Sequence, residues 1–186
     1  NQDGHQDYDI SLSAVGHEID DDPVVTTIAG SGVAGSTNAT GTSAKFNYPY
    51  GITTDGTNLY VADQINHKIR KIVISTGVVT TLAGSSSGST DATGTSAKFN
   101  NPRGITTDGT NLYVSDSENH KIRKIVISSG VVTTLAGSGN ADFADGTGTA
   151  AKFNHPNGIT TDGTNLYVTD RYNHRIRKIV ISTGVV

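Results

Sequence analysis

The stretch GITTDGTNLYV occurs three times in this chain of 186 residues, at 51–61, 104–114 and 158–168. In each copy, Asp-Gly separates two short runs that are rich in β-branched and aromatic residues, and Asp-Gly is a residue pair that tight hairpin turns favour. The stretch therefore predicts a β-hairpin. Its recurrence at spacings of 53 and 54 residues indicates an array of repeated units.

The repeats extend well beyond this hairpin. Residues 51–84 and 104–137 differ at only four positions, and the third copy matches as far as Val186. Each unit reads as four short strands, which in the first copy are GITTD, NLYVAD, KIRKIVI and VVTTLAG. No unit has the apolar spacing of a helix. Four-stranded antiparallel units of this length predict an all-β fold in which each unit is one blade of a β-propeller.

The repeats also divide the chain into segments. Residues 1–22 form an acidic leader with a possible donor strand at 8–15, where apolar and polar residues alternate. Residues 23–30 repeat the outer strand of a blade without the rest of it, so we expect an orphan strand that closes a blade. The third blade is expected to lack a full outer strand. The predicted blades are 31–84, 85–137 and 138–186.

Three blades are too few for a closed ring, because propellers carry about four to eight. We expect each chain to donate its orphan strand to the last blade of another copy. A head-to-tail homodimer would then close a six-bladed ring, and the same donation without closure would give an open filament. A chain that is part of a longer propeller is the third alternative. The residues expected to take part in closure and assembly are Val24, Val25, Thr26, Thr27, Ile28, Tyr8, Ile10 and Leu12.

The stretch KFNYPYGITTDGTNLYVADQINHKIRKI at 45–72, with its two near copies, resembles the NHL repeat. The Asn-His of that name recurs as Asn66-His67 and in both later copies, followed by Lys or Arg in place of Leu. The resemblance covers residues 24–186. It implies six-bladed propellers that mostly bind proteins, RNA or small ligands, with a few enzymes among the relatives.

A candidate binding surface follows from the differences between copies. In a blade of four antiparallel strands, the connector before the first strand and the turn between the second and third lie on the same side. The copies differ mainly at these two places, and sites on rigid scaffolds usually lie on loops. We call this surface the variable face. Its candidate residues are Tyr48, Tyr50, Gln64, Arg103, Glu118, His155, Asn157, Arg171 and Tyr172.

Repeated polar residues receive structural interpretations. The His of each Asn-His pair is expected to pack between blades, and Asp63 with its copies to cap a turn. The basic KIRK runs are expected to cover apolar surface, with Asp55 or Asp63 as partners. We therefore predict no metal site, no cofactor and no catalytic residues. The alternatives are a metal-dependent lyase or lactonase on a propeller and an RNA-binding propeller.

Charge and composition limit the partners. Residues 23–186 hold all fourteen Lys and Arg and ten of the seventeen acidic residues, and this small positive excess argues against nucleic acid. No apolar run reaches membrane-spanning length, so no membrane insertion is expected. The chain has no Cys and no Met. The missing Met indicates a processed chain or a fragment, and we expect a secreted, extracellular scaffold whose partners are a protein or small ligand and other copies of itself.

Overall fold

The computed structural model describes residues 23–186, so the possible donor strand with Tyr8, Ile10 and Leu12 lies outside the described residues. Within the described part, the chain forms three antiparallel sheets in succession, one for each repeat. The first two sheets have four strands and the third has three. The all-β class and the organisation into blades are confirmed.

In every sheet, each strand pairs with the next one along the chain. The first sheet contains β1 (Pro49–Thr54), β2 (Asn58–Asp63), β3 (Lys68–Val73) and β4 (Val79–Ala83). The second contains β5 (Pro102–Thr107), β6 (Asn111–Asp116), β7 (Lys121–Val126) and β8 (Val132–Ala136). The third contains β9 (Pro156–Thr161), β10 (Asn165–Asp170) and β11 (Arg175–Val180).

Short 3-10 turns make up the helical content of the described residues. They lie in the connectors and in the turns between the second and third strands of the later blades. Their bounds are Gly41–Ser43, Gly94–Ser96, Ser117–Asn119, Gly148–Ala150 and Arg171–Asn173. Within 23–186, no helix has the length and apolar character needed to cross a membrane.

The turn between the first two strands of a blade has its cause in the Asp-Gly sequence. Asp55 Oδ1 accepts the N–H groups of Thr57 at 2.9 Å and Asn58 at 2.7 Å, and Gly56 supplies a left-handed φ of 87°. The Tyr60 hydroxyl donates to the same carboxylate at 2.7 Å. Burial raises the pKa of Tyr60 to about 12, and the hydrogen bond to Asp55 acts in the same direction.

The two ends of the array differ from its interior. Residues 23–30, predicted as an orphan outer strand, are not assigned to a strand, and no strand of the described part pairs with them. The segment is nevertheless anchored on the first blade, where the Gly30 N–H donates to the Gly41 carbonyl at 3.1 Å. In the third blade, an isolated bridge between Val180 and Val185 stands where a fourth strand would begin.

The apolar core lies between successive sheets. Each interface combines Tyr, Ile and Ala from one blade with Phe and aliphatic residues of the next, so neighbours bury each other's faces. The first interface buries Tyr60, Ile69, Ala83, Phe99, Ile105 and Leu112. The second buries Tyr113, Ile122, Ala136, Phe153, Leu166 and Val168.

The first strands of the three blades lie side by side. A Cβ placed on Gly51 would collide with the Arg103 carbonyl, and one on Gly104 would collide with the Asn157 carbonyl. Glycine is required where two backbones approach this closely. The inner strands therefore fix how near one blade stands to the next, and they carry Tyr50, Arg103 and Asn157 into one neighbourhood.

Candidate functional site

A buried ion pair holds the turn between the second and third strands of each blade. In the first blade, Asp63 Oδ2 accepts from Arg70 Nη1 at 2.8 Å, and both side chains are fully buried. The same carboxylate accepts from Asn66 Nδ2 at 2.8 Å and from the Asn47 N–H at 2.7 Å. Asp63 thus ties its turn to the connector, which is the capping role expected of it.

Equivalent pairs recur in the other blades, between Asp116 and Arg123 at 2.7 Å and between Asp170 and Arg177 at 3.0 Å. Burial raises the pKa of the Asp116 carboxyl, while the attraction of Arg123 opposes that effect. Because these guanidinium groups are enclosed, the Arg side chains of the KIRK runs are not available as a surface stripe for phosphate. Their role in the described structure is structural.

The His of the first two Asn-His pairs connects one blade to the next. The His67 backbone has a left-handed φ of 54°. His67 Nδ1 accepts the Asn101 N–H at 3.2 Å, and His120 Nδ1 accepts the His155 N–H at 3.1 Å. Burial lowers the pKa of both His67 and His120. A neutral imidazole can keep Nδ1 as an acceptor, which suits this contact.

The two variable loops of a blade adjoin each other. The Gln64 N–H donates to the Tyr48 carbonyl at 3.3 Å, joining the turn to the end of the connector. In the third blade, the Tyr172 N–H donates to the Asn154 carbonyl at 3.1 Å in the same way. The structure therefore places both loops of a blade on the same side, where the variable face was predicted.

Five of the nine candidate residues form one connected cluster. Glu118 lies between Arg103, at 3.5 Å, and His155 Nε2, at 3.1 Å. The His155 ring packs on the Tyr172 ring with centroids 4.6 Å apart, and the Arg171 guanidinium lies 5.0 Å from the centre of the Tyr172 ring. This cluster spans the second and third blades and offers both charge signs beside an aromatic surface.

The other candidates surround this cluster. Asn157 Nδ2 donates to the Tyr50 hydroxyl at 3.4 Å, which links the first blade to the third. Tyr48 is 73% exposed and its backbone has a left-handed φ of 53°. Among the described residues, no side-chain hydrogen bond joins Tyr48 or Gln64 to the cluster. A left-handed φ is costly for Tyr, and such conformations are enriched at functional sites.

His120 is a member of the cluster that sequence reasoning missed. Its ring meets His155 edge to face, with centroids 4.6 Å apart and an angle of 77° between the planes. The repulsion from His155 adds to burial in lowering the His120 pKa. The sequence did contain a signal for including His120, because it belongs to an Asn-His pair that directly follows one of the variable turns.

Over residues 23–186, no group of three or more His, Asp or Glu side chains is arranged to hold a metal ion. The variable face instead supplies hydrogen-bond donors, paired charges and exposed rings. These are the groups that recognise another molecule through its shape and polarity.

Comparison with known proteins agrees with this architecture. Residues 99–125 and 153–179 match the family model of the NHL repeat. The chain is 36% identical over 141 residues to NHL repeat-containing protein 2 of Bos taurus, covering 69% of this chain and 19% of that protein. It is 32% identical to the chloroplastic protein SUPPRESSOR OF QUENCHING 1 of Arabidopsis thaliana, covering 88% of this chain and 17% of that protein.

Among solved structures, an auxiliary nutrient binding protein of Bacteroides thetaiotaomicron superposes with a TM-score of 0.61 at 28% identity. The match covers 68% of this chain and 36% of that one. The chain thus spans less than a fifth of the length of the curated relatives it matches, and about a third of this structural neighbour.

Proposed function

Because the chain is built from NHL repeats that fold as β-propeller blades, we propose that it works as a non-enzymatic scaffold. It binds a protein or a small ligand on the variable face. The nearly identical sheets provide rigidity, and the loops that differ between copies provide recognition.

The observation that carries this proposal is the clustering of differences on one exposed surface. Tyr48, Tyr50 and Tyr172 are 73%, 57% and 51% exposed, and Arg171 lies beside the last of them. Tyr and Arg are enriched at contact surfaces and dominate the energetics of many interfaces. The opposite turns, which carry the repeated Asp-Gly sequence, are the same in all three copies and offer no such variety.

The relatives support binding in general terms. The Bacteroides neighbour is described as a nutrient binding protein, which favours a small ligand as one class of partner. The RNA-binding alternative gains nothing from the structure, because Arg70 and Arg123 are fully enclosed in ion pairs. An extracellular location stays a prediction, which fractionation of the source cells would test.

Affinity capture with matched variants tests the proposal. The 186-residue chain is compared with a triple variant, Tyr48→Ala, Arg171→Ala and Tyr172→Ala, and with a control, Thr57→Ala, on the opposite side. Extracts of the source cells supply candidate proteins and metabolites, and each captured component is then titrated in pure form by calorimetry. We expect a component whose affinity falls at least tenfold in the triple variant only. If every captured component binds all three chains equally, the variable face is not the site.

Metal analysis addresses the enzymatic alternative. The purified chain is dialysed without chelator and its Zn and Ca content is measured against protein concentration. The scaffold proposal expects a content far below one ion per chain. One ion per chain, lost together with a hydrolytic or lyase activity after chelation, would contradict the non-enzymatic function.

A further inference from the structure

We propose that two copies of this chain join head to tail, so that the open side of the first blade receives the open side of the third. Two such contacts close a six-bladed ring. This inference concerns assembly and stands independently of the ligand that the variable face binds. It rests on a comparison of the two ends of the array with the two interfaces inside it.

An internal interface has a fixed set of apolar partners. Tyr60, Ile69 and Ala83 of the first blade enter the next blade beside Phe99 and Ile105, and all five are buried. The next interface repeats this arrangement with the corresponding Tyr, Ile and Ala of the second blade. Because both internal interfaces use the same residue types, they show which side chains each blade packs against its neighbour.

The open side of the first blade has half of this interface. Ala29, which corresponds to Ala83, already packs beside Phe46 and Leu59. The places of the Tyr and the Ile are vacant among the described residues, and an open cavity of about 240 Å³ lies there. Ile52 lines that cavity and is 60% exposed, whereas its counterpart Ile105 is 6% exposed.

The missing half stands at the other end of the array. Tyr167 is 38% exposed, although the corresponding Tyr60 and Tyr113 are fully buried. Ile176 is 72% exposed, although the corresponding Ile69 is fully buried. The third blade thus presents the Tyr and the Ile that a neighbour would have to place on the open side of the first blade.

Backbone groups at the two ends are complementary as well. The N–H groups of Asn101 and His155 each donate to the His of the preceding blade. Tyr48 holds the same position in the first blade, and its N–H has no acceptor within 23–186. His174 is the remaining His of this kind, so His174 Nδ1 is the acceptor that a second copy brings to Tyr48.

Close backbone approach gives a second pairing. Gly51 and Gly104 allow the carbonyls of Arg103 and Asn157 to approach. Gly158 is the next glycine of this series, and a Cβ there would meet only Thr169, at 3.3 Å. Its missing neighbour corresponds to the Tyr50 carbonyl of a second copy.

The outer strand of the third blade would be shared between the chains. Arg70 and Lys71 pair with Thr81 and Thr80 in the first blade. In the same register, β11 of one copy would pair with Thr26–Ala29 of the other, while its own Val185 and Val186 begin the strand. The side chain of Val25 is 96% exposed, and it yields its place to Val186 on closure. Pairing removes an exposed sheet edge, which sheets otherwise leave open to uncontrolled association.

A second copy is the occupant because its third blade presents the exposed Tyr167 and Ile176 that match the open side of the first blade. Two copies bring six described blades together, a number within the range of about four to eight found in closed propellers. A head-to-tail contact closes into a ring when its rotation fits and otherwise forms a filament.

Light scattering coupled to size exclusion tests the assembly on the 186-residue chain from 1 to 100 μM. We expect twice the chain mass of 19.3 kDa. Ile176→Lys leaves the separate chain undisturbed, because that side chain is exposed, but should raise the dimer dissociation constant by at least about 100-fold. Ile65→Lys, at an Ile that is 43% exposed in a turn of the first blade, is the matched control and should stay dimeric.

Gly158→Ala provides a smaller perturbation of the same contact. In the separate chain the added methyl group would meet only the Thr169 side chain, at 3.3 Å, which a small shift of that side chain relieves, but it would collide with the second copy's Tyr50 carbonyl. We expect at least about a tenfold weaker dimer with unchanged circular dichroism. A monomer at every concentration would overturn the proposal, and so would a dimer that Ile176→Lys and Gly158→Ala leave intact.

A disulfide test separates the ring from a filament. The chain has no Cys, and Ile69 and Ala83 are cross-strand partners, so Ala29→Cys with Ile176→Cys places two thiols opposite each other between copies. Mild oxidation should give a covalent dimer and nothing larger. A ladder of covalent oligomers would overturn the closed ring, and an absence of cross-linking would overturn the contact itself.

Discussion

Replacement of Asp63 by Asn should destabilise the first blade more than the same change does in the second blade. Arg70 Nη1 contacts Asp63 at 2.8 Å, and its other polar partners include the neutral Asn38 side chain at 2.8 Å. The second blade has Asp91 where the first has Asn38, and Asp91 also contacts the buried Arg. Asp63→Asn therefore leaves a buried cation without any carboxylate.

The expected size follows from these partners. Breaking a buried ion pair by removing one member costs about 3–5 kcal/mol. In the second blade, Asp116→Asn leaves Arg123 paired with Asp91, whose side chain is 45% exposed. An exposed carboxylate such as Asp91 recovers roughly 1 kcal/mol, so Asp116→Asn should lower the stability by that much less than Asp63→Asn does. Asn38→Asp, added to Asp63→Asn, should recover a similar amount within the same blade.

Hydrogen exchange read by mass spectrometry on peptides from 49–83 measures the opening free energy of the first blade directly. Urea unfolding of the whole chain gives the global value as a control. The reasoning would be refuted if Asp63→Asn cost less than about 1 kcal/mol, or if adding Asn38→Asp recovered nothing.

Two further predictions concern packing and pH. Gly104→Ala should cost about 1–3 kcal/mol in urea unfolding, because its Cβ would collide with the Asn157 carbonyl. Gly158→Ala, measured in the monomeric Ile176→Lys background, should lower the free energy of unfolding much less. Equal losses of stability in the two variants would contradict the close approach of the Asn157 carbonyl to Gly104. Burial raises the pKa of Asp108, but hydrogen bonds outweigh it and lower the value to about 2. Because the folded pKa is depressed, this stabilisation is complete above about pH 4 and is lost as pH falls toward 2. Asp108→Asn should reduce this loss of unfolding free energy between about pH 4 and pH 2. An unchanged pH profile of stability in the variant would contradict the prediction.

The strands and hairpin turns could be predicted because their causes are local. Asp55 and Gly56 determine a turn within a few residues, and three copies of one pattern make the pattern unmistakable. The placement of the variable loops could also be predicted, since antiparallel order alone decides which turns share a side. The segment 23–30 is not assigned to a strand among the described residues, and its role as an outer strand that closes a blade stays a prediction, because a strand needs a hydrogen-bonding neighbour.

Contacts between distant residues could not be predicted. Asp63 and Arg70 were each placed in a structural role, but their complete burial depends on how the connector covers them. The left-handed backbone falls on His67, whose ring Nδ1 accepts the N–H of Asn101 in the next blade, a contact between residues far apart in sequence. The cluster around Glu118 likewise joins residues of two blades, and its geometry depends on the distance between those blades.

A crystal structure of the 186-residue chain is the most direct test of the central claim that the two ends of the array are complementary. We predict a six-bladed ring of two chains, with Tyr167 and Ile176 of one packed against Phe46 and Ile52 of the other. Thr26–Ala29 should be paired with β11 of the neighbouring copy. Ends that remain exposed to solvent, or a first blade covered by the chain's own leader, would contradict the account.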